Sequence, residues 1–188
     1  MLRLTDPATG RLAPVEPSAR GLRLAAGAHD PGTLLATDTL RRTAEVSGLR
    51  VLLGGVPAGW DALNVRPGDD PGPADLVVVR PADLGGPPYG LEHRLAWLSG
   101  SPVAVAREEL VHWRSLVAAW AEEPSKPICA QVQDDTLAAL SDDLATADAV
   151  AVLRGSLDLG LPPGCLFETW AWADRLLGLD LAAHVGRG

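Results

Sequence analysis

Leu22 to Gly55 reads LRLAAGAHDPGTLLATDTLRRTAEVSGLRVLLGG, a strand, a loop, a helix and a second strand in direct succession. Leu22 to Ala26 is a compact apolar run that stops at Gly27. His29-Asp30-Pro31-Gly32 then introduces a helix, because an acceptor side chain just ahead of a proline is a helix-start signal. The helical pattern extends through about Ser47 and closes at Gly48. Arg50 to Gly54 is a second short, continuous apolar run, of the kind found in strands buried on both faces of a parallel sheet.

The same grammar extends to either side. Met1 to Arg20 carries short apolar pieces such as Leu2 to Leu4 between the turn formers Pro7, Gly10, Pro14 and Pro17, which predicts an arm or small hairpin. Asp75 to Val79 reads as a third strand, after a Gly-, Pro- and Asp-rich loop from Pro57 to Pro73 with room for one short helical turn. A helix over Leu91 to Leu98 is followed by Pro102 to Ala106 as a fourth strand. The helix Arg107 to Glu122 sets Leu110, Trp113, Val117 and Trp120 on one apolar stripe, which makes its tryptophans core residues. Lys126 to Val132 is expected as a fifth strand. Two helical patterns, Asp134 to Leu157 with a break and Leu166 to Leu177, complete the chain.

Strands alternating with helices predict an α/β fold with a doubly wound parallel sheet and a short C-terminal helical segment. The expected division is an arm over 1–20, a doubly wound α/β domain over 21–132 and a helical segment over 133–188. In such a sheet ligands sit outside the carboxyl ends of the strands where the strand order reverses, which directs attention to the loops after Ala26, Val79 and Ala106.

At 188 residues the chain is long enough to bury roughly two-thirds of its unfolded surface. Hydrophobic residues at 47% against 21% charged exclude wholesale disorder. No apolar run suits a membrane span, and Met1 to Pro7 is unlike a secretory leader, so the expected location is the cytoplasm. Sixteen basic residues against 24 acidic ones give a net charge of −8, and no basic cluster occurs, so nucleic acid is not an expected partner. Cys129 and Cys165 read as small buried hydrophobes, and neither has the close Cys or His neighbour of a zinc site.

Three stretches resemble the cysteinyl-tRNA synthetase family and its mycothiol-ligase relatives. MLRLTDPATGRLAPVEP, Met1 to Pro17, is similar to the family's leader. LLATDTLRRTAEVSGLRV, Leu34 to Val51, resembles the helix and strand that follow its HIGH motif. ALSDDLATADAVAVL, Ala139 to Leu153, is similar to a helix beyond its catalytic core, and Asp75 to Pro81 echoes the strand before its PHHENE segment. The resemblance implies a class I synthetase-like nucleotide-binding fold, with ATP or another adenine nucleotide as the candidate cofactor.

The departures from the family imply the loss of its reaction. A zinc-ligating cysteine after the first strand is replaced by the run Leu24-Ala25-Ala26-Gly27. The HIGH position holds only Ala28-His29-Asp30-Pro31-Gly32-Thr33. No PHHENE histidine and glutamate stand at the right distance after Val79, although Glu92-His93 follows later, and KMSKS is reduced to Ser125-Lys126-Pro127. Adenylate formation needs preorganised donors aimed at the departing pyrophosphate, and losing one such donor costs about a hundredfold or more. Aminoacyl-tRNA ligase activity is therefore not expected.

The candidate ligand-binding residues are His29 and Asp30 at the mouth of the first strand, Arg80 and Asp83 after the third, and Arg107. Each has a plainer role open to it: Asp30 as a helix cap, His29 as a solvated side chain, and the loop through Gly85-Gly86-Pro87-Pro88 as an ordinary connection. Gly54-Gly55 reads as a turn, lacking the spacing of a pyrophosphate cradle. Asp134-Asp135 and Asp142-Asp143 read as solvated helix-start charges. The functional expectation is a catalytically inactive synthetase-like protein with a binding, regulatory or assembly role, its partner a small molecule or a protein. The alternatives are a small nucleotide-dependent enzyme with a re-equipped pocket, and a homodimer joined through the tryptophan-bearing C-terminal helices.

Overall fold

Apolar runs, caps and glycines arrange the chain into two units in the computed structural model, which describes residues 1–5, 11–17, 21–68, 70 and 72–187. The first unit is Met1–Gly90 with Leu140–Leu144, and the second is Leu91–Ala139 with Ala145–Gly188.

In the first unit, β1 (Arg3–Thr5) and β2 (Leu12–Pro14) form the expected hairpin, Arg3 lying opposite Pro14 and Thr5 opposite Leu12. The turn formers Pro7 and Gly10 fall outside the described residues. The strand β3 (Leu22–Ala26), the helix α1 (Pro31–Val46) and the strand β4 (Val51–Gly54) follow as predicted, and β5 (Leu76–Val78) completes a three-stranded parallel sheet in the order β4-β3-β5. Leu22 lies opposite Val51, and Leu24 lies opposite Leu53 on one side and Leu76 on the other. Leu22 and Leu24 are buried while Arg23 between them is half-buried, the period of two expected along a strand.

The helix α1 packs against all three strands and buries Leu34, Leu35, Ala36 and Leu40 completely. It also buries polar groups, several of them with a partner, whereas the Thr39 hydroxyl is buried without one. The hydroxyls of Thr37 and Thr43 donate to the carbonyls four residues earlier, Thr33 and Thr39. The Asp38 carboxylate, itself out of solvent, accepts from Arg41 Nη2 and Arg42 Nε, both at 2.7 Å. Between β4 and β5 the loop contains one 3-10 turn, Asp61–Leu63, whose Leu63 is buried.

The segment Leu140–Leu144 belongs to this unit through polar contacts. Asp142 Oδ1 accepts from Arg3 Nη2 at 2.9 Å, Asp143 Oδ1 accepts from the Thr5 amide at 2.8 Å, and the Asp143 amide donates to the Arg3 carbonyl at 2.9 Å. Asp142 and Asp143 therefore lie after a helix end and fasten a turn, rather than standing as solvated charges at a helix start. Asp143 and Leu144 hold left-handed φ values of 55° and 52°, a conformation that residues other than glycine keep only when their surroundings fix it.

The described part of the second unit is helical: α2 (Leu91–Ser99), α3 (Val103–Trp120), α4 (Ala130–Ser141, whose last two residues belong to the first unit), α5 (Thr146–Ser156), α6 (Pro163–Leu177) and a 3-10 turn, Leu181–His184. Trp113 of α3 meets Trp170 of α6 edge to face at 4.9 Å, and the Trp170 indole donates to Ser156 Oγ at 3.0 Å. Trp113, Trp170 and Trp172 are buried at 2%, 0% and 9% exposure, as core residues.

Two expected strands are absent. Pro102 to Ala106 is not a fourth strand: Pro102 stands at the N-cap and residues from Val103 onward are the opening turns of α3. Proline suits a helix start, and nothing between Ala106 and Arg107 breaks the helix. Lys126 to Val132 is not a fifth strand either. Its first residues are irregular and Ala130 already begins α4. The Cys129 amide donates to Thr169 Oγ1 at 3.0 Å, and Ser125 Oγ donates to Glu168 at 2.7 Å, so this segment is tied by side chains of α6 instead of a strand ladder. With these segments helical or irregular, the first compact unit runs through Gly90 and takes in Leu140–Leu144. The result is a mixed α/β fold with a three-stranded parallel sheet.

Candidate functional site

The carboxyl ends of β3, β4 and β5 lie in the first unit. The chain passes from β3 to β4 on one side and then to β5 on the other, so the strand order reverses between β3 and β5, where a parallel sheet ordinarily opens a ligand crevice. Here the chain closes that place itself. The Gly27 amide donates to the Val78 carbonyl at 2.8 Å, and a Cβ on Gly27 would collide with Val77 and Val79. Gly32, in the first turn of α1, lies so close to the Arg80–Ala82 backbone that a Cβ there would overlap the Ala82 amide.

Asp30 is the hub of this closure. Its Oδ1 accepts from the Thr33 amide at 3.0 Å and from the Ala82 amide at 3.3 Å, while Thr33 Oγ1 accepts from the Arg80 amide at 3.0 Å. Burial pushes the Asp30 carboxyl up, but hydrogen bonds from the Thr33 hydroxyl and amide and from the Ala82 amide outweigh it and hold the group below its ordinary value. The start of α1, with its orphan amides and positive dipole end, is a ready site for an anion. Pro31 supplies no N–H, the Thr33 amide goes to the Asp30 carboxylate, and the Leu34 amide goes to the Asp30 carbonyl at 3.1 Å. The protein's own carboxylate thus fills the place a phosphate would take.

The remaining candidates separate. Arg80 Nη2 donates to the Asp143 carbonyl at 3.0 Å and lies 3.5 Å from Asp143 Oδ2, so its guanidinium is turned to the 143–144 turn. Asp83 is exposed and accepts from the Gly85 amide at 2.8 Å, a local loop contact. Arg107 is in the second unit, where its Nη2 donates to Glu92 at 3.2 Å. Burial pushes the Glu92 carboxyl up, but its own amide, Arg107 and His93 outweigh this and hold it low. Ala106, whose following loop was expected at the pocket, is fully buried within α3.

His29 is placed differently. It lines a cavity of about 570 Å³ on the β4 side, together with Gly55, Val56, Pro57, Ala58, Pro67 and Gly68. The two ends of the β4–β5 loop that line this cavity are joined by a pair of backbone hydrogen bonds, Val56 N–H to Gly68 O at 3.2 Å and Gly68 N–H to Val56 O at 3.0 Å. Gly55 has φ 67° and approaches the Ala26 carbonyl, so glycine is needed at that turn. Apart from His29, these residues escape a search for chemically reactive side chains. Their available signal is an apolar, proline-bearing loop directly after a parallel strand, where polar residues would suit a plain connection.

Comparison of the chain with protein-family models, with curated proteins and with solved structures gives no match.

Proposed function

We propose that the protein is a synthetase-like binding protein that does not activate an amino acid. In this reading the first unit is a reduced, class I synthetase-like version of the Rossmann-type nucleotide-binding fold, with a binding, regulatory or assembly role. The observation that carries the proposal is Asp30: an ionised carboxylate sits at the start of α1 and accepts the Thr33 amide, in the position where an adenylate-forming enzyme would receive phosphate oxygens.

The sequence supports the same conclusion, since the HIGH, PHHENE and KMSKS positions lack the residues that the family uses. A nucleotide-dependent enzyme with a re-equipped pocket would need cations directed at a phosphate. Arg80 instead binds the Asp143 and Leu144 carbonyls, and Arg107 pairs with Glu92 within the other unit. A cytoplasmic location accords with the two cysteines, both free thiols. No helix among the described residues is long and apolar enough to cross a membrane.

The test is ATP–pyrophosphate exchange in the presence of cysteine. Incorporation of label at the protein-free rate is expected. Exchange clearly above that rate, dependent on cysteine, would overturn the non-catalytic reading.

A further inference from the structure

The cavity beside β4 has properties that narrow what it could bind. Its volume of about 570 Å³ falls within the roughly 300–1,000 Å³ typical of small-molecule sites. No lysine or arginine is among its described lining residues, and Asp30, which follows His29 in the chain, is held ionised. Among these lining residues a phosphate or carboxylate would meet no lysine or arginine. Among the described lining residues, Pro57, Ala58 and Pro67 offer apolar contact, and His29 carries the side chain able to donate or accept a hydrogen bond.

The walls are also preformed. Besides the paired Val56 and Gly68 backbones, the Asp70 amide donates to the Leu53 carbonyl at 3.0 Å, which fixes the far end of that loop along β4. A Cβ on Gly68 would collide with the Leu53 carbonyl, so this close approach depends on glycine. Prolines at 57 and 67 restrict both ends further. A slot built this way costs little ordering when it is filled, which favours binding of a small ligand.

We infer that this slot binds an uncharged, mainly apolar small molecule through one hydrogen bond to His29. The inference rests on reading the protein as a binding scaffold and gives that scaffold a ligand class. Indole is a suitable probe, with an apolar body and a lone N–H, and indole-3-acetate is the same body with a carboxylate added.

Calorimetric titration of the full chain with indole is expected to show saturable binding, and indole-3-acetate is expected to bind at least about tenfold more weakly. Ala58 and His29 are exposed, so Ala58→Trp and His29→Ala leave the core untouched. Ala58→Trp, which fills the slot, is expected to weaken indole binding at least about tenfold. His29→Ala, which removes one hydrogen bond, is expected to weaken it about fivefold. Absence of saturable indole binding, equal or tighter binding of indole-3-acetate, or an unchanged indole affinity in Ala58→Trp would each overturn the inference. These readouts are independent of pyrophosphate exchange, so failure of the ligand class is distinguishable from failure of the non-catalytic reading.

Discussion

At Asp30 one carboxylate performs two tasks: it caps α1 through the Thr33 amide and ties the segment after β5 to the helix start through the Ala82 amide. Replacing an N-cap aspartate by alanine costs about 1 kcal/mol, and Asp30→Ala should lose about that much at neutral pH in urea unfolding. The pH dependence has a definite sign. Folding lowers the proton affinity of this carboxyl, so the unfolded chain binds more protons in the window below the ordinary carboxylate range. The stability that Asp30 contributes is therefore complete above its unfolded pKa and is lost as the pH falls through its folded one. Asp30→Asn should flatten that part of the stability–pH curve; an unchanged acid limb would show that another carboxyl governs it. The capping role was legible in the sequence, because an aspartate before Pro31 has few other uses. The second bond, to Ala82, was not, because it joins residues 52 positions apart.

The elements divide by how far local pattern reaches. The β3-α1-β4 succession was readable because an apolar run, a cap, a helical period and a glycine stop agree at every step. Pro102 to Ala106 misleads because alternating valine and alanine mimic a strand over five residues; what settles it is the unbroken helical stripe of Leu110, Trp113 and Val117 that continues from it. Lys126 to Val132 shows the opposite limit, where apolar residues and Pro127 suggest an extended strand but side chains of α6 take the backbone donor of Cys129. Of the tryptophan stripe, Trp113 lies in the core and Trp120 is half-buried, and the cluster they join gives a prediction at this scale. Trp170 touches both Trp113 and Trp120 and donates to Ser156. Trp170→Ala should destabilise the second unit by about 3–5 kcal/mol, seen as a large drop in denaturant midpoint. A change below about 1 kcal/mol would show that this cluster does not organise the unit.

Over the whole molecule, a net charge of −8 and the closure between β3 and β5 act in the same direction, against polyanionic ligands. The sequence located the carboxyl ends of the strands as the place to look, but not which side of β3 is closed. That distinction depends on Gly27 and Gly32 admitting the chain of 77–82 to van der Waals contact, a packing fact with no local signature. It also could not show that His29 and Asp30, adjacent in the chain, go separate ways, His29 to the cavity beside β4 and Asp30 to the contact with Ala82 after β5. Nuclear magnetic resonance titration of the isotopically labelled chain with magnesium ATP reads the closed side directly. The amide signals of Gly32, Thr33 and Ala82 are predicted to show no saturable shift, because the Asp30 carboxylate already holds that position. A saturable shift at these three amides would mean that the triphosphate displaces it, and would contradict a scaffold closed to nucleotide.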